Sequence, residues 1–329
     1  MLKAPKFWYQ PPSLLSAMCA PIAAGYNLAQ RMRQKATTAY KAKIPVICVG
    51  NLTVGGAGKT PTVMALVRLL QQQKLEDIHI LTRGYGGSLK GPILVDSKQH
   101  TFCDVGDEAL LLAQVAPTWV GGNRVASAKA AEQVGAQMII MDDGGQNPTL
   151  HKDCCFMVVD GQKGLGNGRI LPAGPLREKL PHGLSRTDAV VLIGKDQHNL
   201  SKTLSKTMGK SFVNAHIVPL AESTQSIKGK QLLAFAGIGL PDKFFSALEQ
   251  YAGEILEKVA FPDHYPYRVR DLQPLVQRTK TQDIQLVTTE KDFMRIPASL
   301  QPLVTPFRIR LEFENQDAVI CRLKQLLAT

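Results

Sequence analysis

The chain has 329 residues, 44% of them hydrophobic and 20% charged, with six cysteines and a formal net charge of +12. That length suits two modest domains, and the composition excludes both a disordered chain and a polytopic membrane protein. No cysteines form a C-x-x-C pair or stand at metal-ligand spacing, so a reduced cytoplasmic chain is implied.

Charge is placed one-sidedly. Glu76 is the first acidic residue, and Lys3, Lys6, Arg31, Arg33, Lys35, Lys41, Lys43, Lys59, Arg68 and Lys74 all precede it. An end of this kind is drawn to anionic surfaces, lipid headgroups or nucleic acid. Within it, Phe7, Trp8 and Tyr9 lead into LLSAMCAPIAAGYNLA, residues 14 to 29. A bilayer-spanning helix needs about 20 apolar residues, and this run is shorter and interrupted by Pro21. Aromatic residues at one end and Lys/Arg at the other predict instead a helix lying in the interface, with residues 1–35 as a membrane-interacting segment. A cleaved signal peptide is the rival reading, but export would strand the ATP site described next outside the cytoplasm.

KIPVICVGN, rich in β-branched residues, reads as a strand; TPTVMALVRLLQQQ has apolar residues at helical spacing. Between them GNLTVGGAGKT resembles the phosphate loop G-x-x-x-x-G-K-[ST], with Thr53 where the first glycine belongs. Gly55, Gly56 and Gly58 let backbone N–H groups converge on phosphate oxygens, Lys59 reaches the β and γ phosphates, and Thr60 can ligate Mg²⁺. Thr53, Gly55, Gly56, Ala57, Gly58, Lys59 and Thr60 are therefore the candidate nucleotide-binding residues. No N-K-x-D motif reads guanine, which favours ATP.

Further apolar runs follow at DIHILTRGY, PILVD, TWVGGN, AQMIIMDDG, CCFMVVDG and DAVVLIG, with helical patterns such as EALLLAQV and RVASAKAAEQVG between several of them. Alternation of this kind predicts an α/β fold with a mostly parallel sheet, a P-loop domain over residues 36–222. The polar stretch AESTQSIKGK, residues 221 to 230, reads as a linker. A smaller α/β domain over 223–329 would then run through QLLAFAGI, PDKFFSALEQYAG and IQLVTTEKD to a helical stretch ending at Thr329.

Four stretches carry chemistry. Asp142 and Asp143 follow an apolar strand, the place where a carboxylate beside a P-loop holds Mg²⁺. Asp107 and Glu108 open a helix, where acids commonly cap. Arg169 and Arg177 stand between glycines and prolines in GNGRILPAGPLREKL, an irregular backbone able to hold a guanidinium against phosphate. His264 lies among aromatics and prolines in FPDHYPYRVRD, and nothing local makes it catalytic.

Taken in order, GNLTVGGAGKTP, TRGYGG, GDEALLLA, MDDGGQN, GNGRILPAGPLRE, FPDHYPY and TEKD resemble the tetraacyldisaccharide 4'-kinase family from the N-terminal arm to about Asp292. The resemblance implies a P-loop domain joined to a smaller C-terminal domain with the site in the cleft. It implies that Thr at position 53 is the family's own choice. The implied reaction moves the γ-phosphate of ATP, with Mg²⁺, to the 4'-hydroxyl of a tetraacyldisaccharide 1-phosphate, giving lipid IVA. Carried over by motif, Lys59 and Thr60 are the P-loop pair, and Asp142 and Asp143 the acids near Mg²⁺, with Glu108 a further candidate ligand. Asp107 is the base, His264 its partner, and Arg177 a group near phosphate. The chain departs from the family at Gly145 and Asn147, where D-D-G-F-Q-H is usual, and at Tyr265, where a second histidine is common.

The implied partners are the lipid substrate and an anionic membrane surface, with no nucleic acid and no obligate protein partner. The implied location is peripheral or monotopic, on the cytoplasmic face of the bacterial inner membrane. A partitioning-type NTPase is the first rival, but Val54 stands where its signature has lysine. A nucleotide switch at the membrane is the second, and would leave Asp107 and His264 without a task.

Overall fold

A computed structural model describes residues 4–209, 211–282 and 284–327; Lys3 of the basic arm and Thr329 lie outside them. After one 3-10 turn at Lys6–Tyr9 come helices α1 (Leu14–Met18) and α2 (Ala20–Ala36). Ser13 and Ser16 cap α1 reciprocally. Pro21 does not break the segment but sits in the first turn of α2, where no intrahelical N–H is needed. Leu14, Leu15, Met18, Ile22, Leu28 and Met32 are each exposed by more than half. Among the described residues no helix is long and apolar enough to cross a membrane. The root of the arm is fixed: Trp8 is buried, its Nε1–H donates to the Pro172 carbonyl at 3.0 Å, and its own carbonyl accepts from the Asn167 N–H at 2.7 Å.

The chain then runs through β1 (Val46–Asn51), α3 (Lys59–Gln72), β2 (Ile78–Thr82), β3 (Ile93–Leu94), α4 (Phe102–Val105), α5 (Asp107–Leu112), β4 (Thr118–Val120) and α6 (Arg124–Gln133). It continues with β5 (Met138–Asp142), β6 (Cys154–Asp160), α7 (Leu180–Ser185), β7 (Ala189–Ile193), α8 (Leu200–Met208) and β8 (Ser211–Pro219). Beyond these lie α9 (Ala221–Ile227), β9 (Gln231–Ala236), α10 (Pro241–Glu249), β10 (Glu254–Ala260), α11 (Val269–Gln282), β11 (Gln285–Thr289) and α12 (Glu290–Phe293), then β12 (Thr305–Phe307), β13 (Ile309–Phe313) and α13 (Gln316–Leu327).

The large sheet has the order β13-β8-β7-β6-β1-β5-β2-β4-β3, parallel except for its two edge strands. Every residue of β1, β2 and β5 is buried, as expected of strands covered on both faces. Val63, Leu66 and Leu70 of α3 pack on one face and Ala128 and Ala131 of α6 on the other. Burying each such large side chain of α3 stabilises the fold by about 1.5–3 kcal/mol. The small sheet, β10-β9-β11-β12, is wholly parallel.

Two features differ from the sequence reading. The stretch read as a linker forms α9, because Ile227 is buried in the small-sheet core and the Ser223 hydroxyl accepts from the Arg308 N–H at 3.0 Å. The final strand and helix return to the large sheet: Leu311, Phe313, Val319 and Leu323 join the core of α3. The smaller unit is thus entered after Pro219 and left before Ile309, residues that pair with each other. The Leu220 N–H donates to the Arg308 carbonyl at 3.0 Å, so the two crossings lie side by side.

Candidate active site

Strands β1 and β5 are neighbours with Val49 opposite Asp142, so the loop leaving one and the acids leaving the other emerge together at the C-terminal edge. Gly58 precedes α3 with φ 91°, and a Cβ there would stand 2.5 Å from Ile193 Cδ1. No side chain caps α3, which leaves its first N–H groups for an anion. The loop is braced by donation from Asn51 Nδ2 to the Thr53 carbonyl at 2.6 Å, from Val54 N–H to Pro175 at 2.9 Å, and from Arg177 N–H to Leu52 at 2.7 Å. Thr53 forms an antiparallel β-bridge with Leu176, a backbone geometry that suits a β-branched residue and asks for no glycine.

Lys59 Nζ lies 3.7 Å from Asp143 Oδ1, while the Arg177 guanidinium reaches both oxygens of Asp143, at 2.9 and 3.3 Å. Gln146 accepts from Arg177 at 3.2 Å and donates to the Asn51 carbonyl at 3.0 Å and to Glu178 at 3.1 Å. Asn147, at one of the divergent positions, accepts from the Thr149 hydroxyl and the N–H groups of Thr149 and Leu150. Its work is to shape a turn.

Asp142 is the acid of this cluster without a cation bound to it. Its carboxyl is pushed up to about 7, by burial first and then by the charge of Glu108. One oxygen faces the Thr82 hydroxyl at 3.4 Å, and the other is buried with no hydrogen-bond partner. Such an unpartnered oxygen beside a phosphate loop fits a divalent cation. Among the described residues no three His, Cys, Asp or Glu side chains converge as a cage. Mg²⁺ in general takes one or two carboxylates and completes its shell with phosphate oxygens and water.

A second cluster spans the two sheets. Gly106, φ 88°, starts α5 where a Cβ would stand 2.4 Å from the Tyr85 carbonyl. Asp107, only 2% exposed, follows it, and its Oδ2 lies 3.0 Å from Nδ1 of His264 and 3.2 Å from Nε of Arg295. Burial raises the Asp107 carboxyl, but the His264 hydrogen bond and the charges of Lys291, His264 and Arg295 outweigh it and hold the group below the ordinary carboxylate value. His264 carries φ 58°, uncommon for a residue with a side chain, and its N–H donates to the Gly237 carbonyl at 2.9 Å. The Tyr85 ring lies 5.3 Å from the imidazole.

Beneath the histidine, buried Asp292 accepts from Gly237 N–H at 2.9 Å, the Tyr267 hydroxyl at 2.8 Å and the Arg295 guanidinium. Lys291 donates to Glu108 at 2.8 Å and lies 3.4 Å from His264 Nε2. Burial alone would lower the Lys291 ammonium, but Glu108 and Asp107 raise it above its ordinary value.

The site residues named from sequence thus fall into two groups. Lys59, Asp143 and Arg177 gather at the phosphate loop with Asp142 and Thr60 beside them; Asp107 and His264 meet across the lobes. Glu108 is held by Lys291, and its charge acts on Asp142. Sequence reasoning gave no role to Tyr85, Gln146, Glu178, Lys291, Asp292 or Arg295, although all but Arg295 lie inside the TRGYGG, MDDGGQN, GNGRILPAGPLRE and TEKD motifs.

A family model described as tetraacyldisaccharide-1-P 4'-kinase matches residues 15–328. Tetraacyldisaccharide 4'-kinase of Rhodospirillum centenum is 43% identical over 331 aligned positions, covering 99% of this chain and 97% of its own. The Paramagnetospirillum magneticum protein of the same name is 44% identical, covering 95% of each. The crystal structure of LpxK from Aquifex aeolicus in complex with ATP is similar in fold, with a TM-score of 0.77, 25% identity, and coverage of 95% of this chain and 99% of that one.

Proposed function

This chain belongs to the tetraacyldisaccharide 1-phosphate 4'-kinase family, and on that premise we propose how its residues divide the reaction. The enzyme transfers the γ-phosphate of ATP to the 4'-hydroxyl of a tetraacyldisaccharide 1-phosphate in lipid A synthesis, yielding lipid IVA. The phosphate loop, Thr53 to Thr60, binds ATP. Thr60 and Asp142 would hold Mg²⁺, and the ion would supply charge neutralisation to the transferring phosphoryl group. Lys59 and Arg177, now shared with Asp143, are placed to turn to the phosphates.

The observation that carries the kinase reading over a nucleotide switch is the Asp107–His264 pair. A switch has no use for a proton acceptor facing a cleft. With Nδ1–H given to the ionised Asp107, the acceptor left on the ring is Nε2, which the Lys291 ammonium faces at 3.4 Å. There the attacking hydroxyl can leave its proton, which makes His264 the acceptor and gives Asp107, expected from the family motif as the base, the part of positioning it. Asp107 and Arg295 hold the imidazole in that tautomer. Transfer of labelled phosphate from ATP to the tetraacyldisaccharide 1-phosphate in detergent micelles is the test. Hydrolysis of ATP without labelled lipid would return the site to a switch or a partner-driving NTPase.

The exposed apolar side chains of α1 and α2 rest in the cytoplasmic leaflet of the inner membrane and present the cleft to its lipid substrate. Replacing Leu15, Met18 and Ile22 by serine should reduce sedimentation with vesicles. Truncation of the arm is a poorer probe, since it also removes the buried Trp8.

A further inference from the structure

Away from the two clusters, one cavity brings three permanent cations together with an amide and an imidazole. It measures about 240 Å³, lies between α2 and α7, and is lined by Arg31, Gln34, Lys35, His182 and Arg186. Under it lies Glu178, 1% exposed, bound by Arg186 at 2.6 Å and facing His182 Nδ1 at 2.9 Å. Arg31 and Lys35 make no ion pair among the described residues. Arg186 has spare donors, including a buried Nε–H with no acceptor. Three permanent cations against one carboxylate leave the pocket with about two positive charges, which match the charge of a phosphate monoester at neutral pH.

Two further observations bear on which phosphate such a pocket would take. The carboxylate under the pocket is joined to the phosphate loop through Gln146, which bonds Glu178, the Asn51 carbonyl and Arg177. The pocket and the phosphate loop are thereby joined by one run of hydrogen bonds. Its other wall is α2, whose exposed Ile22, Tyr26, Leu28 and Met32 precede or flank Arg31 and Lys35 on the same helix. A lipid lying along that helix brings its anionic head to the cations.

We propose that Arg31, Lys35, His182 and Arg186 seat the 1-phosphate of the lipid acceptor, so that the disaccharide is measured between this pocket and the phosphate loop. The proposal rests on the kinase reading above. The pocket sets which end of the disaccharide reaches the loop: the sugar bearing phosphate is retained in the pocket, and the other presents its 4'-hydroxyl.

The test compares two acceptors, the tetraacyldisaccharide 1-phosphate and the same lipid lacking that phosphate, with wild type and the exposed-site double variant R31A/K35A. On the phosphorylated lipid the variant should raise the apparent KM roughly tenfold, the sum of two exposed charge contacts. On the dephosphorylated lipid wild type should already show the raised KM, and the substitutions should add nothing to it. Equal penalties on both acceptors, or none on either, would overturn the pocket while ATP-dependent labelling by wild type kept the kinase reading intact. No labelling of either lipid by wild type would instead sink that reading. Anionic phosphatidylglycerol and neutral phosphatidylcholine vesicles separate the other source of phosphate. If R31A/K35A loses binding to the anionic vesicles and keeps its KM in micelles, the pocket reads a membrane headgroup and the assignment fails.

Discussion

The phosphate loop draws its residues from one unbroken stretch, Asn51 to Thr60, whereas the dyad joins Asp107 to a histidine 157 positions away on the other sheet. The loop is set by a strand, a left-handed glycine and a helix start, all local. The dyad exists only when the two lobes are docked. It is held by a buried ion network in which Arg295 and Asp292 are 1% and 0% exposed. Nucleotide binding should therefore survive loosening of the lobes that abolishes transfer.

Substitutions can break that contrast. The largest effect is expected from Asp107→Asn, which should lower kcat about 10²–10⁴-fold and leave the KM for ATP nearly unchanged, in steady-state assays with lipid saturating. A matching loss of ATP affinity would show the halves to be one unit. Lys59→Ala should do the converse, reducing kcat/KM for ATP about 10²–10³-fold without moving the thermal unfolding midpoint. Asp292→Ala removes the partner of a buried guanidinium and should cost about 3–5 kcal/mol in denaturant unfolding. ATP binding by the folded variant should persist, and a variant that lost it would tie the loop to the small lobe.

A smaller effect sharpens the comparison from the nucleotide side. The Asp142 carboxyl sits at about 7 in the folded protein against an ordinary value of 3.8. Between those values the folded state keeps a proton that the unfolded chain has released. The contribution of Asp142 to ligand-free stability is then full below about pH 4 and is lost as pH rises to about 7. Asp142→Asn should flatten that decline by up to about 1.4 kcal/mol per pH unit, read as unfolding free energy across the window.

What could be read in advance follows the same division. Buried parallel strands announce themselves as β-branched runs, and GGAGKT carries its own geometry. The same holds for Asp142 and Asp143 at a strand end. Edge strands did not announce themselves: β10 alternates exposed and half-buried residues, and β13 is indistinguishable by pattern from a strand of the small sheet. Local sequence favoured a cap for Asp107 and a structural histidine for His264, and only the family motifs paired them. The network of Asp292 and Arg295 was hidden because its meaning lies in long-range burial. Position 147 explains itself only in the turn it makes.

The return of the chain to the large sheet bears on how the protein is made. Because β13 and α13 follow the small lobe in the chain, the ribosome must deliver that entire lobe before this edge strand can be added. Until then β8 has no antiparallel neighbour at that edge, and the part of the α3 core that Leu311, Phe313, Val319 and Leu323 complete remains open. An exposed strand edge next to apolar surface is a site of misassembly. Early docking of the small lobe would place Arg308 beside Leu220 and hold β13 next to its partner as it emerges.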